Sequence, residues 1–350
     1  MAEANSPVSG ATAREPVLVD LALQGGGSHG AYTWGVLDRL LEEPWIRIEA
    51  ISGTSAGAMN AAVLVSGFMQ GGPEGARKAL DGYWKRVADA ARFSPLQRSP
   101  LDRLMNRWSL DTSPMYVAMD LMSRVISPYT LNPTGRNPIS ALLEESIDFA
   151  HLNESPIKLF ITATNVHTGR GRIFRNKEIT PAVLLASACL PTLFQAIEIE
   201  GEPYWDGGYA GNPTLTPLVR ESDARDVILV QINPRERRAT PRTAGEIMDR
   251  LNEISFNSPL SKELRMIALL RQAADPGTGE GKRWASMLTH RIMTDKLAEY
   301  GASSKLNAEW EFLSLLKEEG RRSADEFLTL HGADLGVRST DDLDVLLAEC

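Results

Sequence analysis

Apolar positions first gather at Pro16 to Leu23, where Val17, Leu18, Val19, Leu21, Ala22 and Leu23 crowd around a single aspartate. Such a β-branched run predicts a buried strand. A turn, Gln24 to Gly30, follows, and Trp34, Val36, Leu37, Leu40 and Leu41 then recur at helical spacing up to Glu42. The unit repeats: a short strand at Arg47 to Ile51, a turn of small residues at 52–57, and a small-residue helix to about Met69. Strand, turn and helix in that order are the grammar of a parallel sheet covered by helices. Residues 71–150 read as mostly helical between the prolines at 95, 100, 114, 128, 133 and 138. Strands return at Ile157 to Thr164 and Arg172 to Arg175, before a helix opened by Pro181. Short strands at 196–199 and 204–208 lead to a last core strand, Asp226 to Ile232. Beyond Pro241 helices dominate, interrupted by a loop at 275–281. The pattern predicts an N-terminal tail over residues 1–15, a catalytic-size α/β domain over 16–233, and a mostly helical extension over 234–350.

Composition narrows the class. With 43% hydrophobic and 23% charged residues the 350-residue chain can bury a sizeable core. A formal charge of −8 is the wrong sign for neutralising nucleic-acid phosphates, so no nucleic-acid partner is expected. Two cysteines, Cys189 and Cys350, are too few for a disulfide framework or a cysteine zinc site. The segment before Pro16 carries Glu3 and Glu15 and no apolar stretch, unlike a signal peptide. The longest nearly apolar run, Ala56 to Met69, is shorter than the roughly 20 residues needed to span a bilayer. A cytoplasmic protein is expected.

Two turns carry candidate chemistry. Gly25-Gly26-Gly27-Ser28-His29-Gly30 lies between a strand and a helix, where backbone N–H groups and the helix dipole converge on an anion. Its spacing also fits the dinucleotide pattern G-x-G-x-x-G, with Glu49 22 residues after Gly27 as the ribose-binding acid. Against that reading, Glu49 falls inside the second strand instead of at its end. The second turn, Gly53-Thr54-Ser55-Ala56-Gly57, matches the G-x-S-x-G nucleophile elbow. A serine capping the following helix would satisfy the same pattern. The preceding strand, the following helix and the glycine loop one unit upstream favour Ser55 as a nucleophile.

A serine nucleophile needs a base. The histidines at 29, 151, 167, 290 and 331 lack the strand-end context of a triad histidine, and His290 and His331 fall in the predicted helical tail. Asp206 is the stronger candidate, heading Asp206-Gly207-Gly208 at an expected strand end after Tyr204 and Trp205. An aspartate in a D-G turn is the plainer alternative.

The ordered trio of a glycine-rich loop, G-x-S-x-G and D-G-G resembles the patatin-like phospholipase family over roughly Val17 to Ile232. The tract Ser187 to Phe194 is similar to the stretch preceding that family's aspartate. The resemblance implies a three-layer α/β core with a mostly parallel sheet between helices, and a Ser55–Asp206 dyad. It implies an oxyanion hole at Gly25, Gly26, Gly27 and Ser28, supported by His29, Gly30, Gly53, Gly57, Gly207 and Gly208. It further implies a lipid acyl ester substrate, transient contact with a lipid surface, and no metal or organic cofactor. A transacylase, an intracellular polyester depolymerase or a catalytically silent interaction protein fits the same motifs. One departure stands out: the family usually has Arg or Lys where this chain has His29. On this view His29→Arg keeps activity and His29→Ala loses part of it. Finally, Leu96 to Met122, with Met105, Trp108, Met115, Tyr116, Met119 and Met122, reads either as core-facing helix or as an apolar cover over Ser55, the former being simpler.

Overall fold

The computed structural model describes residues 14–237, 239–273 and 277–348. The expected tail up to residue 13, Arg238, residues 275–276 of the expected loop, and Cys350 lie outside them. Among the described residues eight strands form one sheet: β1 (Val17–Leu23), β2 (Ile46–Gly53), β3 (Lys158–Asn165), β4 (Gly171–Arg175), β5 (Ile197–Ile199), β6 (Glu202–Asp206), β7 (Asp226–Val230) and β8 (Leu288–Ile292). Their order is β5-β6-β3-β2-β1-β7-β8, with β4 also paired to β3. The β3-β2-β1-β7-β8 pairings are parallel, and β4, β5 and β6 are antiparallel.

Period-2 alternation explains the layers. Leu21, Leu23, Ile51, Leu159, Ile161, Ile228 and Val230 enter one apolar cluster, whereas Ala22, Ala50, Phe160, Val227 and Leu229 enter another. The sheet is therefore buried on both faces, as a parallel sheet must be. Helix α1 (Gly30–Leu40), the first half of α2 (Ala56–Ala91) and the helix Trp310–His331 cover the first face. The helices Thr216–Glu221, Ala244–Gln272 and Glu280–Ser286 cover the second. α2 is broken at Gly71 and Gly72, which leave helical geometry just before Pro73.

Residues 234–350 thus contribute helices to both faces. They also supply β8, which the sequence pattern did not reveal. Its run Leu-Thr-His-Arg-Ile carries buried polar side chains where apolar ones are expected, and these are satisfied by residues distant in sequence. His290 Nε2 meets Asp226 Oδ1 at 2.9 Å and its Nδ1 meets Thr340 Oγ1 at 3.0 Å. His290 therefore sits in a strand, not in a helical tail.

The contact between α1 and the helix Trp310–His331 is unusually close. A Cβ on Gly320 would run into the Tyr32 carbonyl, and one on Gly35 into that of Lys317. Arg321 and Arg77 both pair with Asp38 and Glu42 alongside. Gly320→Ala must push the helices apart and is expected to destabilise the protein by about 2–4 kcal/mol. A denaturant midpoint unchanged from wild type would contradict this packing. Among the described residues no helix is long and apolar enough to cross a membrane.

Candidate active site

Parallel register brings the two candidate turns level. Leu23, the last residue of β1, pairs with Gly53, the last of β2. The chain leaves β2 through Thr54 and Ser55 and enters α2 at once. Ser55 has φ 53° and ψ −122°, a left-handed conformation that a serine adopts only where its surroundings enforce it. The enforcing contacts are with backbone. A Cβ on Gly53 would lie 2.7 Å from the Gly57 carbonyl oxygen, and one on Gly57 would run into the Leu23 carbonyl. Between Ile51 and Gly67 only Ser55 is not buried. The Ser55 N–H donates to Ser187 Oγ at 2.9 Å, and that hydroxyl donates to the Thr162 carbonyl at 2.7 Å.

Asp206 arrives from the other direction. β6 runs antiparallel to β3, pairing Asp206 with Ala163. The following chain passes so close to the elbow that a Cβ on Gly207 would meet the Thr162 carbonyl and Thr54 Cγ2. Thr164 Oγ1 donates to the Asp206 carbonyl at 2.8 Å, and the Asp206 N–H donates to the Cys189 carbonyl at 2.7 Å. The tract 187–194 thus supports both residues, Ser55 through Ser187 and Asp206 through Cys189. The Asp206 carboxylate is 2% exposed, and burial pushes its pKa up to about 7. The Gly208 N–H, donating to Oδ1 at 2.7 Å, and the Ser55 side chain act in the opposite direction, favouring the ionised form.

The glycine loop is held from behind by side-chain amides. Gln24 Oε1 accepts from the N–H groups of Ile232 and Asn233, while Asn233 Nδ2 donates to the Gly25 carbonyl at 2.7 Å. Asn212 Oδ1 accepts the Gly25 N–H at 2.7 Å. This bond corrects the donor set expected from the sequence, because the Gly25 amide is already used inside the protein. Gly25 instead permits close approach: a Cβ there would lie 2.5 Å from that of Ser55. The N–H groups of Gly26, Gly27 and Ser28 have no acceptor among the described residues. Gly26 is half-buried and Gly27 exposed, at φ 59°.

His29 also departs from expectation. It is 2% exposed, packed edge-on against Tyr300 and Phe312, with Nε2 2.7 Å from Ser304 Oγ. Ser304 Oγ donates to the Gly301 carbonyl, so it accepts from His29 Nε2–H. That leaves Nδ1 as the bare nitrogen, buried without a partner. Burial, with Lys305 and Arg237 nearby, lowers the His29 pKa to about 3. The ring is neutral and cannot stand in for the family's cation. The amine nearest the loop is that of Lys305, whose Nζ donates to Asn233 Oδ1 at 2.8 Å, whose carbonyl abuts Gly27, and whose pKa burial lowers. His29→Arg would bury a cation beside Lys305, between two aromatic rings, and is expected to cost about 3 kcal/mol of stability. A variant with wild-type stability and full activity would restore the sequence-based expectation.

Other candidates fall away by position. Glu49 lies within β2 and pairs with Lys158 Nζ at 2.7 Å, so it cannot serve a ribose at the strand end. His151, His167 and His331 face Asp148, Glu202 and Asp334, and His290 faces Asp226. Sequence reasoning missed Gln24, Asn212, Asn233 and Lys305. Only Gln24, adjoining the glycine turn, carried any local signal.

The profile of the patatin-like phospholipase family matches residues 21–219, a span containing the elbow, the glycine loop and Asp206. Among solved structures, VipD from Legionella pneumophila is 16% identical with a TM-score of 0.42, covering 91% of this chain and 67% of that one. The type III effector ExoU is 15% identical with a TM-score of 0.32, covering 90% and 53%. ExoU in its heterodimeric complex with SpcU, from Pseudomonas aeruginosa, gives 19%, 0.30, 95% and 66%. This chain spans about half to two thirds of these structures. No curated protein matches it. With the family profile extending over more than half of its length, the chain belongs to the patatin-like phospholipase family.

Proposed function

We propose that the protein is a serine acyl hydrolase of lipid esters in which Ser55 is the nucleophile and Asp206 its base. The observation that carries this reading is a buried aspartate, its pKa lifted to about 7, facing a serine held in a strained turn. An ordinary carboxylate, with a pKa near 3.9, is too weak a base for an alcohol. Near 7 it is about half ionised at neutral pH and basic enough to take a proton as the oxygen attacks.

The cycle follows from that pairing. Asp206 accepts the Ser55 proton as Oγ adds to the ester carbonyl, and the proton then passes to the departing alcohol. The tetrahedral oxyanion is held by the free amides of Gly26 and Gly27, with Ser28 beside them, each worth about 3 kcal/mol in the transition state. Water, deprotonated by Asp206 in its turn, releases the acid from the acyl-enzyme.

A fluorophosphonate ester tests the proposal directly. One covalent adduct is expected, located on the peptide containing Ser55 by mass spectrometry, with a rate that falls on acidification below pH 7. Labelling at another residue, or none at all, would refute it.

A further inference from the structure

The helix Pro114–Val125 contains no buried residue. Its apolar side chains are nevertheless grouped: Met115, Ala118, Leu121, Met122 and Val125 recur at helical spacing and are all exposed. Val125 reaches 85% exposure and Leu121 60%. Tyr116, Met119, Asp120 and Ser123 lie on the more covered side. A helix packed on a core turns its stripe inward. This one turns it outward, so the core-facing reading fails for Met115 and Met122, whereas Trp108, outside the helix and stacked on Phe312, does pack against the core. Leu104, 84% exposed in the short helix Pro100–Leu104, adds to the same segment.

The segment is anchored on both sides of the candidate dyad. On the glycine-loop side the Leu110 N–H donates to Ser303 Oγ at 2.8 Å, and Ser303 donates to Asp111 at 2.6 Å, one residue before the partner of His29. On the Asp206 side Gln195 Nε2 donates to the Asn132 carbonyl at 2.6 Å, and the Ala196 N–H to the Tyr129 hydroxyl at 3.2 Å. Gln195 in turn accepts from Cys189, whose carbonyl holds the Asp206 N–H. The outward stripe is therefore strung between the two halves of the site.

Charge identifies the occupant. Residues 92–137 carry six arginines, three aspartates and neither lysine nor glutamate, a net of +3 in a chain of −8. Arg107 and Arg136 are exposed and have no acidic partner among the described residues. Apolar side chains flanked by free arginines suit an anionic lipid surface, where the former enter the acyl boundary and the latter meet headgroup phosphates.

We propose that residues 92–137, led by the helix Pro114–Val125, dock the protein on anionic membrane and hold the Ser55–Asp206 site against it. The substrate side of this statement rests on the lipid hydrolase reading above; the docking does not. The full chain is tested by co-sedimentation with vesicles of phosphatidylglycerol and, separately, phosphatidylcholine, beside hydrolysis of the soluble ester p-nitrophenyl butyrate. Wild type is expected to bind phosphatidylglycerol vesicles at least tenfold better than phosphatidylcholine. The triple variant Leu121→Glu, Met122→Glu, Val125→Glu should lose that binding at least tenfold with soluble-ester turnover unchanged. Wild type left in the supernatant, or a triple variant that sediments with it, overturns the proposal. So does a dimer in solution that the same substitutions disperse without affecting sedimentation, which would assign the face to a second copy. Vesicle binding abolished by the substitutions in a protein that hydrolyses no ester upholds docking and refutes the hydrolase reading alone.

Discussion

Ser55→Ala is expected to lower kcat/KM on any ester about 10⁴-fold or more while leaving the fold intact. The size follows from removing the atom that forms the covalent bond, since oxyanion donors and substrate binding alone retain only a residual acceleration. The intact fold follows from what the side chain does structurally. The backbone bond from the Ser55 N–H to Ser187 survives the change, and alanine presents the same Cβ to Gly25. The left-handed φ of 53° is as strained for alanine as for serine. Unfolding midpoints of the two proteins should therefore agree closely below pH 7, where Asp206 is protonated and loses least with the Ser55 hydroxyl, so that lost turnover cannot be attributed to misfolding. Turnover reduced less than tenfold, with an unchanged midpoint, would remove Ser55 from the mechanism and leave the elbow as a helix start.

The glycine loop, the elbow and the aspartate were legible because each demands particular residue types in adjacent positions. Gly53, Gly57 and Gly207 would each bring a Cβ against backbone atoms, so chemistry is written there in steric terms. The strands β1, β2, β3 and β7 were legible for a different reason, since burial on both faces requires continuous apolar runs. What stayed hidden depends on long-range pairing. β8 disguises itself with Thr289 and His290, whose burial makes sense only once Asp226, Ser339 and Thr340 are beside them. Asn212 and Asn233 tie down Gly25 from about 190 and 210 residues away. Lys305, still further along, reaches Asn233 through its Nζ. The neutrality of His29 is likewise a property of its surroundings, as Tyr300 and Phe312 exclude the water an imidazolium would need. The helix Pro114–Val125 misled in a simpler way, because periodicity reveals an apolar stripe but not which side of it faces the protein.

Asp206→Asn separates catalysis from stability, and the two are expected to move in opposite directions. Turnover should fall about 10³-fold or more, because asparagine cannot take the Ser55 proton. In the wild type, kcat/KM should rise with pH and reach half its plateau near pH 7, as the buried carboxyl ionises. That limb resembles a histidine's, yet His29 stays neutral down to about pH 3, so His29→Gln should leave it in place. Stability runs the other way. Asp206 binds its proton more tightly in the folded state, at about 7, than in the unfolded chain, near 3.8. Its contribution is fully present below pH 3.8 and is lost as pH rises through 7, reaching about 4 kcal/mol when the carboxylate must be held ionised in a dry site. Asparagine carries no such charge, and its side-chain oxygen can still accept the Gly208 N–H. The variant should therefore match wild type at pH 4 and exceed it by up to about 4 kcal/mol at pH 8.5, read from denaturant unfolding at the two pH values. Equal stability at both would mean that the carboxylate is solvated in the folded protein, and the same result would deprive it of the basicity the reaction requires. In the proposed reaction the aspartate would owe its basicity to a fold that keeps it where ionisation is costly.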